Sequence, residues 1–227
     1  MVIGSGLIAS IFLSKYKNDN GVVVFASGVS NSNETRASEF KRERDLIELT
    51  MKNNVKALFI YFSTYSLGDL DANKKPYVFH KQEMENIVKC HSRFLILRVS
   101  NVVGNKGNPN TIINFFVKQI ISDNLIAIWD STKRNLIDIE DLYLITKNLI
   151  QNKVENKVLL VINPKNISVL EIVAKIADFK NKIAKIKIIK KEPNFEMEPS
   201  IEVLKSIENL KLDFDEDYLI KLLNKYY

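Results

Sequence analysis

One cysteine in 227 residues leaves nothing for an intramolecular disulfide, so Cys90 fits a protein of the reducing cytoplasm. Histidine is almost as scarce, and His80 and His91 make no plausible metal cluster even with Cys90. No run reaches the ~18 apolar residues needed to span a bilayer. The apolar first thirteen residues lack the basic leader and small-x-small cleavage site of a secretory signal. Repeats, low-complexity tracts and linkers are absent as well. So is any block of like charge: the net +6 is spread over lysines such as Lys52, Lys56, Lys147 and Lys153, interrupted by acids and Asn. That pattern reads as a solvated surface and not as a nucleic-acid footprint, although a mildly positive balance suits a phosphate-bearing substrate. Membrane, nucleic-acid and metal partners are therefore not expected.

What is present is a globular composition, 46% apolar and 26% charged, in a chain long enough to bury a sizeable core. Strand and helix patterns alternate along it. Continuous apolar runs, GVVVFAS, KALFIYFST, RFLILRVSNVVG and KVLLVINP, read as strands buried on both faces. Between them lie helical patterns over LIASIFLSKY, the charged amphipathic stretch ending at Asn54, YVFHKQEMENIVKC, NTIINFFVKQIIS and IEDLYLITKNLIQN. Ser168 is a good N-cap for SVLEIVAKIADF, LIAIWD and AKIKIIKK read as further strands, and the tail forms two short helices. This alternation predicts an α/β fold, doubly wound around a mostly parallel, Rossmann-like sheet.

Three stretches carry chemistry. Gly4, Gly6 and Ala9 have the G-x-G-x-x-G/A spacing of a turn whose backbone N–H groups approach a pyrophosphate, here after a very short strand, Val2–Ile3. Tyr77 and Lys81 form Y-x-x-x-K, one turn apart on one helical face, where an ammonium favours the phenolate and tunes the tyrosine for acid–base work. Ser63 and Thr64 stand where a buried strand should end, the place at which open α/β sheets bind ligands.

The order Gly4-x-Gly6-x-x-Ala9, FASG, FST, YVFHK, LRVSNVVG, KRNLIDIEDL resembles the extended short-chain dehydrogenase/reductase family, whose members use NAD or NADP to reduce, oxidise or epimerise nucleotide-linked sugars. In particular it is similar to short epimerase/dehydratase-like proteins of bacterial surface polysaccharide biosynthesis. The resemblance implies Tyr77 as catalytic acid/base, Lys81 as its partner and Thr64 as the hydroxyl that polarises the carbonyl. It implies cofactor contacts from Gly4, Gly6, Leu7, Ile8, Ala26, Ser27, Gly28, Ser63, Lys81, Ser100, Asn101 and Val102. Asn101, Asn110 and Arg134 match positions on the nucleotide-diphosphate sugar; Arg134 suits bidentate phosphate recognition, unless it pairs with Asp138 or Asp141. The helices Glu39 to Lys52 and Tyr77 to Cys90 match the family's homodimer interface, unless their apolar stripes only cover the sheet. Residues 1–104 are expected to form the dinucleotide-binding core. Residues 105–227 are expected to return one helix and strand to it and form a small C-terminal substrate lobe.

Departures from the family pattern narrow this reading. A strand, a helix and another strand, with the residue that selects NAD or NADP, are missing between the glycine turn and FASG, so the adenosine-side edge is shortened. A right-handed connection across that gap would put the first helix on an unusual face. Tyr65 and Ser66 stand where dehydratases carry an Asp-Glu pair, which disfavours dehydration, and Gly68 replaces a common tyrosine, predicting a wider pocket. The implied activity is reduction of a keto nucleotide-sugar, with C4 epimerisation as alternative and a non-catalytic sugar-nucleotide or protein-binding relative as the rival of another class.

Overall fold

Strands without a polar face have to be covered on both sides, and every residue of Val22–Phe25 and Leu58–Thr64 is buried. In the computed structural model, which describes residues 1–68, 75–105, 111–190 and 196–227, these two runs lie side by side in a five-stranded parallel sheet. The elements in chain order begin β1 (Val2–Ile3), α1 (Leu7–Tyr16), β2 (Val22–Phe25), α2 (Ala37–Asn53), β3 (Leu58–Thr64), α3 (Pro76–Val88) and β4 (Phe94–Val99). They continue with β5 (Asn101–Val103), α4 (Ile112–Ile121), β6 (Leu125–Trp129), β7 (Lys133–Arg134), β8 (Leu136–Asp138), α5 (Ile139–Gln151) and β9 (Lys157–Val161). The last are β10 (Ile167–Ser168), α6 (Val169–Phe179), β11 (Lys185–Ile189), α7 (Ile201–Leu210) and α8 (Tyr218–Tyr226). The sheet order is β1-β2-β3-β4-β9. The shortened edge is as expected: β1 is the outer strand and pairs directly with β2.

Side-chain alternation divides the core. Val22, Val24, Ile60, Phe62, Leu95 and Leu97 face α1 and α5, where Phe12 meets Tyr143 edge-on at 5.2 Å. Val23, Phe25, Phe59, Tyr61 and Ile96 face Ile47 of α2 and Met84 and Val88 of α3. The strands advance one way across the sheet while α1 lies on one face and α2 and α3 on the other. The β1–α1–β2 connection therefore has the opposite hand to β2–α2–β3 and β3–α3–β4, and the near-universal right-handed rule holds for only one kind. The anticipated conflict at the shortened edge is real.

Three smaller pairings complete the C-terminal part: β5 with β8 and β6 with β11, both parallel, and β7 with β10, antiparallel. RFLILRVSNVVG corrects the sequence reading. It is two strands, because after Val99 the chain leaves the main sheet and β5 pairs with β8. The helix α2 also begins later than its polar lead-in suggests: Arg36 is its N-cap and makes no side-chain cap, whereas Ser168 caps α6 as expected by accepting from the Glu171 amide at 3.1 Å. Among the described residues no helix is long and apolar enough to cross a membrane.

Candidate active site

The carboxyl ends of β1 to β4 open into one cavity of about 1110 Å³. At one end stands the glycine turn. Gly4 has φ +124°, a conformation that L side chains rarely adopt, and a Cβ there would lie 2.4 Å from the Ala26 carbonyl oxygen. Gly6 is the N-cap of α1 without a side-chain cap, and a Cβ on it would meet nothing within 4 Å. The positive end of α1, with Gly6, Leu7 and Ile8, thus faces open space, a ready site for a phosphate.

Thr64, Tyr77 and Lys81 line the same cavity, as do Ala26, Ser27, Gly28, Ser63, Ser100, Asn101, Val102 and Arg134. Gly4 lies beneath the wall and shapes it. Asn110 lies outside the described residues. The Lys81 ammonium is 5.9 Å from the centre of the Tyr77 ring, so Y-x-x-x-K brings charge and phenol together as its spacing predicts.

The two neighbouring hydroxyls have different duties. Ser63 donates to Oε1 of Glu85 at 2.6 Å, a fully buried carboxylate that also holds Arg98 in two-point fashion at 2.8 and 2.7 Å. Thr64 accepts a 3.2 Å bond from the Ser66 amide, which leaves its hydroxyl proton to donate. The Ser63 hydroxyl proton is thus spent on Glu85, while that of Thr64 is not taken up by this bond.

Gly28 has a reason the motif did not supply. A Cβ there would come within 2.7 Å of Lys81 Nζ and 2.9 Å of Glu43 Oε1. Glu43, on α2, is fully buried and accepts four bonds: from the Val29 amide at 2.6 Å, the Tyr61 hydroxyl at 2.6 Å, His80 Nε2 at 2.9 Å and Lys81 Nζ at 2.9 Å. Burial is the largest influence on this carboxyl and would raise it. The charge of Lys81, with the bonds from His80, Tyr61 and Val29, outweighs burial and holds Glu43 at about 2. Burial, with Glu43 beside it, pushes the Tyr61 phenol well above its ordinary range, so Tyr61 stays a donor.

Glu43, Tyr61 and His80 were missed in the sequence. The signal was there. Phe40, Glu43 and Ile47 fall three and four residues apart, so Glu43 stands in the apolar stripe of its helix. Phe40 closes the cluster by stacking on His80 at 4.5 Å.

The C-terminal wall is held by amides. Asn101 donates to the Asn135 carbonyl at 2.8 Å, and Asn135 in turn donates to the Asn163 carbonyl at 2.7 Å and Asn166 Oδ1 at 2.9 Å. Asp138 and Asp141, the alternative partners for Arg134, are bound elsewhere. Asp138 holds Lys225 at 2.8 Å and the Tyr226 hydroxyl at 2.7 Å, and Asp141 accepts from the Tyr218 hydroxyl at 2.6 Å. Arg134 lines the cavity and also a smaller apolar pocket of about 230 Å³ floored by Ile128, Val169 and Phe116. Over Gly68 the expected extra room is not there: a Cβ would meet Met197 Sδ at 2.1 Å, so the thioether fills that space.

Solved structures repeat this architecture at low identity. MoeE5 in complex with UDP-glucose and NAD superimposes with a TM-score of 0.73 and 14% identity, over 99% of this chain and 96% of that one. UDP-glucuronic acid 4-epimerase from Bacillus cereus, in complex with UDP-glucuronic acid and NAD, gives 0.69 and 19%, over 96% and 78%. RMD from Pseudomonas aeruginosa, complexed with NADPH, gives 0.70 and 15%, over 98% and 86%. The chain has the fold of these proteins. No family model and no curated protein matches its sequence. The fold is thus shared at low sequence identity. The Rossmann-like sheet, read from alternating patterns, is confirmed, and residues beyond the sheet belong to the same shared frame.

Proposed function

We propose that this protein is an NAD(P)-dependent reductase of a keto nucleotide-sugar. The observation that carries the reading is that Thr64, Tyr77 and Lys81 line one cavity with the uncapped N-terminus of α1. The residues suit a dinucleotide: Gly4 and Gly6 leave a pyrophosphate room at a helix N-terminus, and Ser100 Oγ is buried in the cavity region without a hydrogen-bond partner. The proteins of like fold carry NAD or NADPH, and two of them hold UDP-sugars.

When bound, the nicotinamide supplies the hydride that the keto carbon receives. The protein supplies the rest. Thr64 donates a hydrogen bond to the carbonyl oxygen as negative charge grows there, and Tyr77 delivers its phenolic proton to the same oxygen. Lys81 stands beside the Tyr77 ring, bonded to Glu43, so that its ammonium faces the negative charge left on the phenol oxygen. Arg134, between the large cavity and the apolar pocket, meets the diphosphate, and the pocket takes an apolar face of the nucleotide end. In this reading residues 1–104 hold the cofactor and 105–227 contribute the sugar side, through Arg134, Asn135 and Asn166.

The open edge beyond β1 favours an exchangeable cofactor, and so reduction, over a C4 epimerase that must retain its NAD. The reading includes a cytoplasmic homodimer through α2 and α3. The apolar stripes of these helices cover the sheet, and their outer face presents Leu49 and Phe79 among charged side chains bridged by Arg44 and Glu83 at 3.3 Å. Fluorescence titration with NADH and NADPH tests the cofactor half, and saturable binding of one is expected. Tyr77→Phe is expected to keep that binding and lower reduction of a keto nucleotide-sugar by at least about 100-fold. Unchanged turnover would overturn the mechanism. No binding of either dinucleotide by folded protein would point to a non-catalytic sugar-nucleotide or protein-binding molecule.

A further inference from the structure

We infer that Glu43 is the positioning residue of Lys81, holding its ammonium charged and fixed beside Tyr77; the kinetic consequence rests on the reductase reading. The Lys81 side chain is only 3% exposed, and an ammonium so buried is costly without a counter-charge. Two acids are near enough to supply it. Glu85, one turn further along α3, is spent: its oxygens hold Arg98 and Ser63. Glu43 approaches from α2 and bonds Lys81 directly at 2.9 Å.

The groups around this pair come from every neighbouring element. β3 supplies Tyr61, α3 supplies Tyr77, His80 and Glu85, the loop after β2 supplies the Val29 amide, and β4 supplies Arg98 behind Glu85. Glu43 accepts four bonds, about the full capacity of a carboxylate. Lys81 spends two of its three donors on Glu43 and on the Tyr61 hydroxyl at 3.0 Å. The third remains for the cavity that Lys81 lines. A glycine at position 28 is what lets the loop pass this close above the pair.

The test reads Lys81 directly. In a proton–nitrogen correlation spectrum tuned to lysine ammonium groups, the wild-type protein is expected to show a slowly exchanging cross-peak that Lys81→Met removes. Glu43→Gln should remove it as well, and Glu43→Asp should keep it. Reduction by Glu43→Gln is expected to fall in kcat on the order of 10- to 100-fold, with the dinucleotide Kd held within about twofold. A purely structural role would not separate those two quantities. Survival of the peak in folded Glu43→Gln overturns the proposal, as does its absence from the wild type. Should Glu43→Gln fail to fold, wild type against Lys81→Met, together with Glu43→Asp, decides the matter in the same way. A wild-type protein with the peak and no reductase activity refutes the reductase reading and leaves the role of Glu43 standing.

Discussion

Glu43 and Asp138 are built from the same parts and do different work. Each is a buried acid that gathers a lysine and a tyrosine: Lys81 and Tyr61 around Glu43, Lys225 and Tyr226 around Asp138. Asp138 also caps α5 by accepting from the Glu140 amide at 2.9 Å, and through Lys225 and Tyr226 it clamps the C-terminal helix to the body. Its lysine is 37% exposed at the side chain and lies outside the cavity wall, whereas Lys81 is sealed on all sides but the cavity. The residue set is therefore no guide to chemistry. In the proposed reading, what decides is where the lysine's last donor can go.

Three substitutions and one change of condition probe that contrast. The largest effect is expected from Glu43→Ala, which strands a buried ammonium and should cost about 3–5 kcal/mol in a urea unfolding curve. Lys225→Ala, at the more exposed clamp, should cost about 1 kcal/mol or less in the same measurement. Equal losses would erase the distinction between the two clusters. Gly28→Ala drives a methyl toward Lys81 Nζ and Glu43 Oε1, so an intermediate loss of about 1–3 kcal/mol is expected, with turnover falling while the melt remains cooperative. The subtlest effect is in acid. The Glu43 carboxyl is held lower in the folded chain than in the unfolded one, so its contribution is complete above the ordinary carboxylate range near 4.5. It is lost as pH falls toward about 2. Unfolding curves across that window should flatten in Glu43→Ala relative to wild type.

Much of this architecture was legible in the sequence because strands buried on both faces have no polar alternation to disguise them. Val22–Phe25 and Leu58–Thr64 could be little else. The pieces that escaped depend on distant partners. Lys133–Arg134 and Ile167–Ser168 are two residues each, and only pairing with one another makes them strands. At the site, spacing set Tyr77 and Lys81 on one helical face and the end of a buried run set Ser63 and Thr64 at a strand end, and it took their order along the chain to single them out. The preference for Thr64 over Ser63 came from the family resemblance, and the bond from Ser63 to Glu85, which arrives from another element, could not be read from the sequence. Glu43 was hidden in KRERD, where four charged neighbours make a fifth look like more surface, and only its place in the helical stripe betrays it. Tyr61 was hidden for the opposite reason: inside an apolar run, its hydroxyl draws no attention.

The outermost strand gives the glycine turn a peculiar energetics. β1 has two residues, and its attachment to β2 includes the Val24 amide on the Met1 carbonyl at 2.9 Å and the Ala26 amide on the Ile3 carbonyl at 2.8 Å. Among the described residues, that short seam is the strand pairing that sets Gly4 against Ala26. Were an anion to bind at the head of α1, its occupancy and the pairing of the seam would be linked, and linkage is reciprocal. Whatever factor an anion at α1 adds to the closed population, closure returns to the affinity for that anion.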